Sequence, residues 1–347
     1  MSNTVIIQSL DEAIFISKQK EFRKVKFIVF SPDIRYLLSK NNFTNILPQT
    51  QHNFDSSRIT ERLILFETKI KEIFKVKRLD FDHVEETFTN TFYSILSSIE
   101  FYRSLIYEFD PNGPWLIIDN KNKFSEINNF EILLEIIVGK LISEKRGMFR
   151  ENREVNYNKN KFFNFIFKFI NSTIAKKTKN KSIWVTGKNY GQKKNISKIS
   201  KIYPNLRLLY FEPPLGNTII KLFRNFYLCY FSRSNIYTIM PNVVKRKSYL
   251  EEIDNILDNI LDSKVICLKK NLTIFFSEIC EYQYSLHHEM KNIFDISNPK
   301  LLIAHQLSLF EPCVMGSIFK NKQKKVFLIS HGAHRTSNNK FTKFELN

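Results

Sequence analysis

The sequence predicts an α/β protein built on a Rossmann-like, doubly wound and mainly parallel sheet with long helical insertions. Short apolar runs alternate with longer segments of helical periodicity, which is typical of parallel sheets whose strands are connected by helices. Each apolar run ends in polar residues or in Gly and Pro, which mark strand ends. With 347 residues, of which 43% are apolar, the chain can also bury a large core.

The predicted strands are short and strongly apolar. The first, VKFIVFS, precedes Pro32-Asp33, and the second, WLIID, follows a break rich in Pro, Asn and Gly at residues 110–114. The last, KVFLIS, shows no polar alternation, so we expect it to be central in the sheet and buried on both faces. In chain order the predicted strands span residues 25–31, 115–119, 182–187, 206–213, 235–241, 299–306 and 325–332.

The predicted helices are longer than the strands. Residues 85–109 repeat apolar side chains at intervals of three and four, which places them on one helical face. We expect further helices at 56–76, 130–145, 162–170, 217–231 and 307–319, and mainly helical structure over 249–295. The expected organisation is one domain, residues 1–347, with helical insertions around 56–109 and 249–295 and a subdomain joint in the polar segment 149–161.

The charge balance favours an anionic partner. The chain has 53 basic and 34 acidic residues, a net charge of +19, which attracts nucleic acid, anionic lipid or phosphate-bearing substrates. A lysine-rich solvated surface, arising from the codon bias of an AT-rich genome, explains the same numbers. Because no zinc finger, long basic helix or aromatic RNA-binding motif accompanies the lysines, we expect no specific nucleic-acid partner.

Cysteine usage and hydropathy bear on location. The four cysteines are far apart and form no CxxC pair, so neither a metal-ligand cluster nor a disulfide framework is expected. Acidic residues occupy the beginning of the chain, where a signal peptide would be basic, and no apolar stretch approaches 18 residues. We therefore expect a cytoplasmic protein, associated at most with the inner face of the cytoplasmic membrane.

Candidate site residues follow the predicted strands, because ligands bind at the carboxyl ends of parallel strands. For His305 and His331 the alternative is a structural role, in which the side chain caps the strand by hydrogen bonding to a neighbouring loop. The segment GKNYGQKK at 187–194 is either a phosphate loop or a plain basic turn, and Asp33 is either a base or, preferentially, a helix N-cap. The residues at the strand ends are Asp119, Thr186, Gly187, Glu212, His305, His331 and Gly332.

His331 is the strongest of these candidates. Gly332 directly after it lets the backbone turn tightly and lets a ligand approach main-chain N–H groups. The residues that follow supply donors for a phosphate or carboxylate; they are His334, Arg335, Thr336 and Ser337. A different cluster, His287-His288-Glu289, lies in a helical region, where adjacent histidines point to different faces, so we expect no metal there.

The segment PKLLIAHQLSLFEPCVMGSIFKNKQKKVFLISHGAHRTS resembles the end of the amino-terminal domain of GT-B-type bacterial glycosyltransferases. The likeness is to enzymes of surface-polysaccharide biosynthesis in the cell envelope, including Kdo- and sialyl-type transferases. In that pattern a strand, a helix and a second strand end in His-Gly and face the cleft between two Rossmann-like domains. The likeness covers about fifty residues, and it implies that the carboxy-terminal domain of a longer enzyme is missing, because only fifteen residues follow Gly332.

The resemblance implies transfer of a sugar from an activated nucleotide donor to a surface-glycan or lipid-linked acceptor, without a further cofactor. His331, Glu212 and Asp119 are then the candidate catalytic residues, one contacting donor phosphate or moving a proton and another activating the acceptor hydroxyl. The substrate-binding candidates are Gly332, His334, Arg335, Ser337, His305, Thr186 and Gly187.

The alternative function is a non-catalytic basic protein that binds an anionic membrane surface or another polyanion. Its support is the net charge together with the segment FFNFIFKFINSTIAKKTKNK at 162–181, an aromatic helix followed by lysines. No GxGxxG, GxxxxGK[ST] or GxSxG motif occurs, so nucleotide-cofactor, P-loop and serine-hydrolase functions lack their usual signatures.

Overall fold

The computed structural model describes residues 4–47, 57–76, 84–119, 123–153, 161–186, 196, 201–212, 218–241, 247–261, 268–304 and 310–328. Within these residues the strands form two sheets of five strands each, both mainly parallel. The predicted α/β class is confirmed. The prediction of one sheet is wrong, because the strands divide into two sets that pair only among themselves.

The first sheet has the order β3-β2-β1-β4-β5. Strands β1 to β4 run parallel, and β5 pairs antiparallel with β4. The central strand β1 and the short strands β3 and β5 were absent from the sequence prediction. The strands are β1 (Thr4–Ile7), β2 (Lys26–Val29), β3 (Ile46–Leu47), β4 (Trp115–Ile118) and β5 (Phe124–Ile127).

Serine caps begin the first helices. Ser9 accepts a hydrogen bond from the Glu12 N–H at 3.2 Å, and Ser31 accepts one from the Asp33 N–H at 3.2 Å. Asp33 is therefore not the N-cap that the sequence suggested; it lies in the first helical turn. The helices up to residue 153 are α1 (Leu10–Ser17), α2 (Pro32–Lys40), α3 (Ser57–Val76), α4 (Val84–Phe109) and α5 (Phe130–Arg153), with a 3₁₀ turn at Lys20–Lys24.

The second sheet has the order β10-β9-β6-β7-β8, and all of its strands are parallel. Numbered along the chain within each sheet, both sheets have the same order, 3-2-1-4-5. The strands are β6 (Ser182–Val185), β7 (Arg207–Glu212), β8 (Ser234–Thr238), β9 (Leu301–Ala304) and β10 (Lys325–Leu328).

The placement of β10 corrects a prediction. It is an edge strand that pairs only with β9 among the described residues, and its side chains alternate between exposed and half-buried. Phe327 is 52% exposed. The prediction of a central strand is therefore wrong. The apolar run forms an edge strand, and part of each side chain remains in solvent.

The remaining helices overlap the predicted segments, although several of them end later than predicted. Helix α5 continues to Arg153, so the predicted joint at 149–161 is helical in its first part, and residues 154–160 lie outside the described residues. The helices are α6 (Lys161–Lys177), α7 (Thr218–Phe231), α8 (Lys247–Ile260), α9 (Lys269–Ser297) and α10 (Phe310–Asn321).

An aromatic core fixes α9 and α10 on the second sheet. The fully buried Trp184 of β6 lies 4.6 Å, centroid to centroid, from Phe211 of β7. It also lies 5.9 Å from Phe294 of α9 and 5.3 Å from Phe319 of α10. Tilted and edge-on aromatic pairs of this kind add to the free energy gained by burying the rings.

The chain divides into two compact units. One comprises Met1–Phe66, Thr91–Glu144 and Asp254–Thr273, and the other Glu67–Asn90, Lys145–Ile253 and Ile274–Asn347. Each unit contains one of the two sheets. Among the described helices, none is both long and apolar enough to cross a membrane.

Candidate functional site

The carboxyl edge of the second sheet carries two of the predicted site residues. Thr186 follows β6, is buried, and donates its backbone N–H to the Ile303 carbonyl at 3.0 Å. The strand order reverses beside β6, with β7 and β8 on one side and β9 and β10 on the other. Open α/β sheets bind ligands at such a reversal. Thr186 thus lies where the sequence placed it, and its substrate-binding role stays a prediction.

Glu212, at the end of β7, is held by an ion pair. Arg224 of α7 donates through Nη2 to Glu212 Oε2 at 2.6 Å, and the Glu212 side chain is 11% exposed. This geometry supports a structural ion pair more than the role of a base.

Asp119 follows β4 in the first unit. Its carboxylate accepts a hydrogen bond from the Lys123 N–H at 2.9 Å, and its own N–H donates to the Lys123 carbonyl at 2.9 Å. These bonds join the antiparallel strands β4 and β5. The other predicted site residues lie outside the described residues; they are Gly187, His305, His331, Gly332, His334, Arg335 and Ser337.

The structure reveals a different site in the second unit, which we name the β8 pocket. It has a volume of about 450 Å³ and opens between α6, α9 and the end of β8. Exposed side chains on both helices line it, so it is accessible to solvent. Its volume is within the range of small-molecule sites. The lining residues are Lys168, Asn171, Ser172, Ala175, Tyr237, Met240, Tyr284, Ser285, His288, Glu289, Asn292, Ile293 and Ile296.

Helix α6 reaches the pocket because it covers the edge of the sheet. Asn171 donates through Nδ2 to the Thr238 carbonyl at 2.7 Å, and it accepts from the Thr238 N–H at 3.2 Å. The amide group thus takes the place of a further strand and satisfies both backbone groups of the edge residue. The covered edge fixes the α6 wall of the pocket relative to β8.

Glu289 on α9 is the centre of the polar contacts. Tyr237 donates its hydroxyl to Glu289 Oε1 at 2.9 Å. The Met240 N–H lies 3.0 Å from Oε1 and 3.1 Å from Oε2. The residue keeps some solvent exposure, while its carboxylate is held against the chain just beyond β8.

This environment sets the protonation of Glu289. Burial raises the pKa of its carboxyl to about 7, although the Met240 N–H, the Tyr237 hydroxyl and the positive charge of Lys168 all act to lower it. Burial and the neighbouring carboxylate raise the pKa of Tyr237 well above its usual value, so Tyr237 remains a hydrogen-bond donor. A carboxyl group with a pKa near 7 can both accept and give a proton at neutral pH.

The sequence offered a signal for this site that our interpretation did not use. Four pocket residues recur on α9 at helical spacing, namely Ser285, His288, Glu289 and Asn292. We considered the His287-His288-Glu289 cluster only as a metal site. Among the described residues no group of three or more His, Cys, Asp or Glu side chains could hold a metal ion.

Comparisons with models of protein families, with curated proteins and with solved structures found no match to this chain.

Proposed function

We propose that the chain is a GT-B-type glycosyltransferase that moves a sugar from a nucleotide donor to a glycan or lipid-linked acceptor. The observation that carries this proposal is the occurrence of two α/β units with the same strand order, 3-2-1-4-5. That order is the one found in Rossmann-like nucleotide-binding sheets. The resemblance described above implies two such domains in one enzyme.

The two units change one expectation from the sequence. The His-Gly segment resembled the end of an amino-terminal domain, which implied that a second domain was missing. Strand β9, helix α10 and strand β10 of that segment instead belong to the second of two α/β units. In this proposal the two units supply the two sheets that the resemblance implies.

In this proposal the nucleotide donor binds beside β6, at the point where the strand order of the second sheet reverses. Thr186 and Gly187 follow β6, and His305 follows β9, so these predicted binding residues come from the two strands that flank the reversal. In this proposal they contact the phosphates or the sugar of the donor.

The β8 pocket is assigned to a hydroxyl-bearing sugar, with Glu289 as the base. As the acceptor oxygen bonds to the anomeric carbon, Glu289 takes the hydroxyl proton. The bond from that carbon to the donor phosphate oxygen breaks, and the nucleotide leaves with the electron pair. A pKa of about 7 suits this proton transfer. Lys168 adds a positive charge that favours the ionised carboxylate.

The test is nucleotide release from a panel of UDP-, GDP- and CMP-sugars, measured with the full chain with and without mono- and disaccharide acceptors. We expect release with at least one donor, and we expect Glu289→Gln to lower its kcat by about 10²-fold or more. The matched control is Glu251→Gln on the exposed surface of α8, which should leave the rate unchanged.

Two negative results separate two parts of the proposal. Neither release nor binding of any nucleotide sugar would remove the glycosyltransferase function. Release that is equally fast in Glu289→Gln would keep the function and remove Glu289 as the base.

A further inference from the structure

The outward face of α7 is apolar along its whole length. Its exposed residues recur at intervals of three and four, so they form one stripe. Phe223 is 68% exposed and Phe231 is 75% exposed. Two tilted aromatic pairs lie along the stripe, Phe226 with Tyr230 and Tyr227 with Phe231. We name these residues the α7 face: Ile219, Ile220, Phe223, Phe226, Tyr227, Tyr230 and Phe231.

The orientation of α7 is fixed by its opposite side. Asn225 is fully buried and donates through Nδ2 to the Thr238 hydroxyl at 2.9 Å. Cys229 is also buried. Because this inner side is anchored to β8, the helix cannot rotate its aromatic stripe inward without breaking the buried hydrogen bond.

The exposed apolar area of the α7 face is larger than that of the scattered apolar residues on an ordinary protein surface. Single exposed apolar residues are common, but contiguous patches beyond a few hundred Å² mark interaction sites. Seven large side chains, each roughly half to three quarters exposed, present on the order of 600 Å² or more. The α7 face therefore marks an interaction surface.

The charge of the surrounding chain identifies the kind of partner. From Val155 to Leu250 the sequence has 19 Lys and Arg residues and a single acidic residue, Glu212, so this segment accounts for nearly all of the net charge of +19. Glu212 is itself paired with Arg224. The segment that carries the apolar face is thus strongly cationic.

Several of these cations lie at the carboxyl end of α7. Lys177 of α6 donates to the Cys229 carbonyl, and its Nζ lies 5.6 Å from the centre of the Tyr230 ring. Arg207 donates through Nη1 to the Ser232 carbonyl at 3.3 Å. Arg233 directly follows and is exposed. These contacts place positive charge beside the aromatic stripe.

We propose that the α7 face binds the surface of an anionic lipid bilayer, with its aromatic rings among the head groups and upper acyl chains and the neighbouring cations on lipid phosphates. Helices that combine an apolar face with flanking Lys and Arg lie in the plane of such interfaces. With 14 residues, α7 is about 21 Å long and lies on the bilayer rather than crossing it.

Two other partners fit the charges less well. A second copy of the chain would bring two strongly cationic segments together, which like-charge repulsion disfavours. Nucleic acid would pair with the cations but would leave the aliphatic residues Ile219 and Ile220 without an apolar partner. Of these three partners, the bilayer alone offers anionic groups and an apolar phase at the same surface. This inference does not depend on the proposed glycosyltransferase function.

The test is sedimentation of the full chain with vesicles of phosphatidylcholine alone or with 30 mol% phosphatidylglycerol. We expect at least tenfold tighter binding to the anionic vesicles, weakened by salt. The double variant Phe223→Ser/Phe231→Ser should weaken it by tenfold or more. The matched control is Tyr107→Ser on α4, which removes an aromatic side chain that is 71% exposed in the other unit and should leave binding unchanged.

A fluorescent variant reports the contact directly. Both native tryptophans, Trp115 and Trp184, are fully buried, so the tryptophan introduced by Phe223→Trp is the one exposed to solvent. Its emission should shift to shorter wavelength when anionic vesicles are added.

Three outcomes overturn the inference. The first is equal vesicle binding by Phe223→Ser/Phe231→Ser and the unmodified chain, with no shift in emission. The second is a dimer that this double variant dissociates while neither protein binds vesicles. The third is tight binding of single-stranded RNA at physiological salt in the absence of vesicle binding.

Discussion

Replacing the carboxyl of Glu289 should change how the stability of the second unit depends on pH. In the folded protein its pKa is about 7, compared with an ordinary value of 4.5, because the carboxyl is buried. Below pH 4.5 the group is protonated in both the folded and the unfolded state. Between pH 4.5 and 7 the folded state holds a proton that the unfolded state has released, so stability falls as the pH rises through this window.

The size of the effect follows from the two pKa values. They differ by about 2.5, and each pH unit of difference corresponds to about 1.4 kcal/mol, so the whole effect is about 3 kcal/mol. Most of this change occurs between pH 5 and pH 8.5. Over that range the titration of Glu289 should lower the free energy of unfolding by about 2–3 kcal/mol. Glu289→Gln cannot titrate and should lose that part of the pH dependence, while its amide oxygen can still accept from Tyr237.

The measurement is urea unfolding of both proteins at pH 5, 7 and 8.5. A common Trp115→Phe background leaves Trp184, in the second unit, as the only tryptophan, so its fluorescence reports the unfolding of that unit. The difference in the free energy of unfolding between the two proteins removes the contribution of groups that titrate in both. The exposed substitution Glu251→Gln should behave like the unmodified chain. Parallel pH profiles for Glu289→Gln and the unmodified chain would refute the assignment of a raised pKa.

Two further predictions concern the supports of the β8 pocket; Trp184 fluorescence measures the first, and circular dichroism measures the second, which removes Trp184. Asn171→Leu should lower the free energy of unfolding by about 1–3 kcal/mol, since it removes the partner of both Thr238 backbone groups; an unchanged urea midpoint would show that water replaces the amide. Trp184→Ala should cost about 3–5 kcal/mol through the cavity left between β6, α9 and α10, and a loss below about 1 kcal/mol would mean that this core collapses around the gap.

Many of the individual elements of this fold were predictable because their signals are local. The apolar run of residues 206–213 is bounded by polar residues and Pro, and it forms β7 at Arg207–Glu212. The apolar run of residues 217–231 forms α7 at Thr218–Phe231. In both cases the signal and the element occupy the same residues, so no tertiary information was needed.

The pairing of the strands was not predictable in the same way. Strand β4 pairs with β1, about 110 residues earlier in the chain, and nothing in the run WLII distinguishes that partner from a strand of the second sheet. Strand β1, the partner of β4, was itself absent from the sequence prediction. The apolar pattern of a strand indicates that it is buried, whereas long-range contacts determine which sheet it joins.

The sequence predicted site residues at the ends of strands, but it did not predict the β8 pocket. The strand-end rule placed Thr186 and Glu212 correctly at the carboxyl edge of the second sheet. This rule could not identify Glu289, because the residue lies in the middle of α9 and contacts β8 only in the folded chain. Its raised pKa depends on burial that no run of the sequence encodes, and the Met240 N–H and Tyr237 hydroxyl that hold it belong to another segment.

Thr238 connects the β8 pocket with the α7 face. Asn171 of α6 binds its backbone groups, and Asn225 of α7 binds its hydroxyl, while Met240, two residues later, holds the Glu289 carboxylate. A substitution at either asparagine would therefore disturb both the wall of the β8 pocket and the packing of α7 on β8. Substitutions of side chains that point away from Thr238 affect only one of the two surfaces. Phe223, on the outward stripe, probes the α7 face alone, and Glu289 probes the β8 pocket alone, so the two proposals can fail independently of each other.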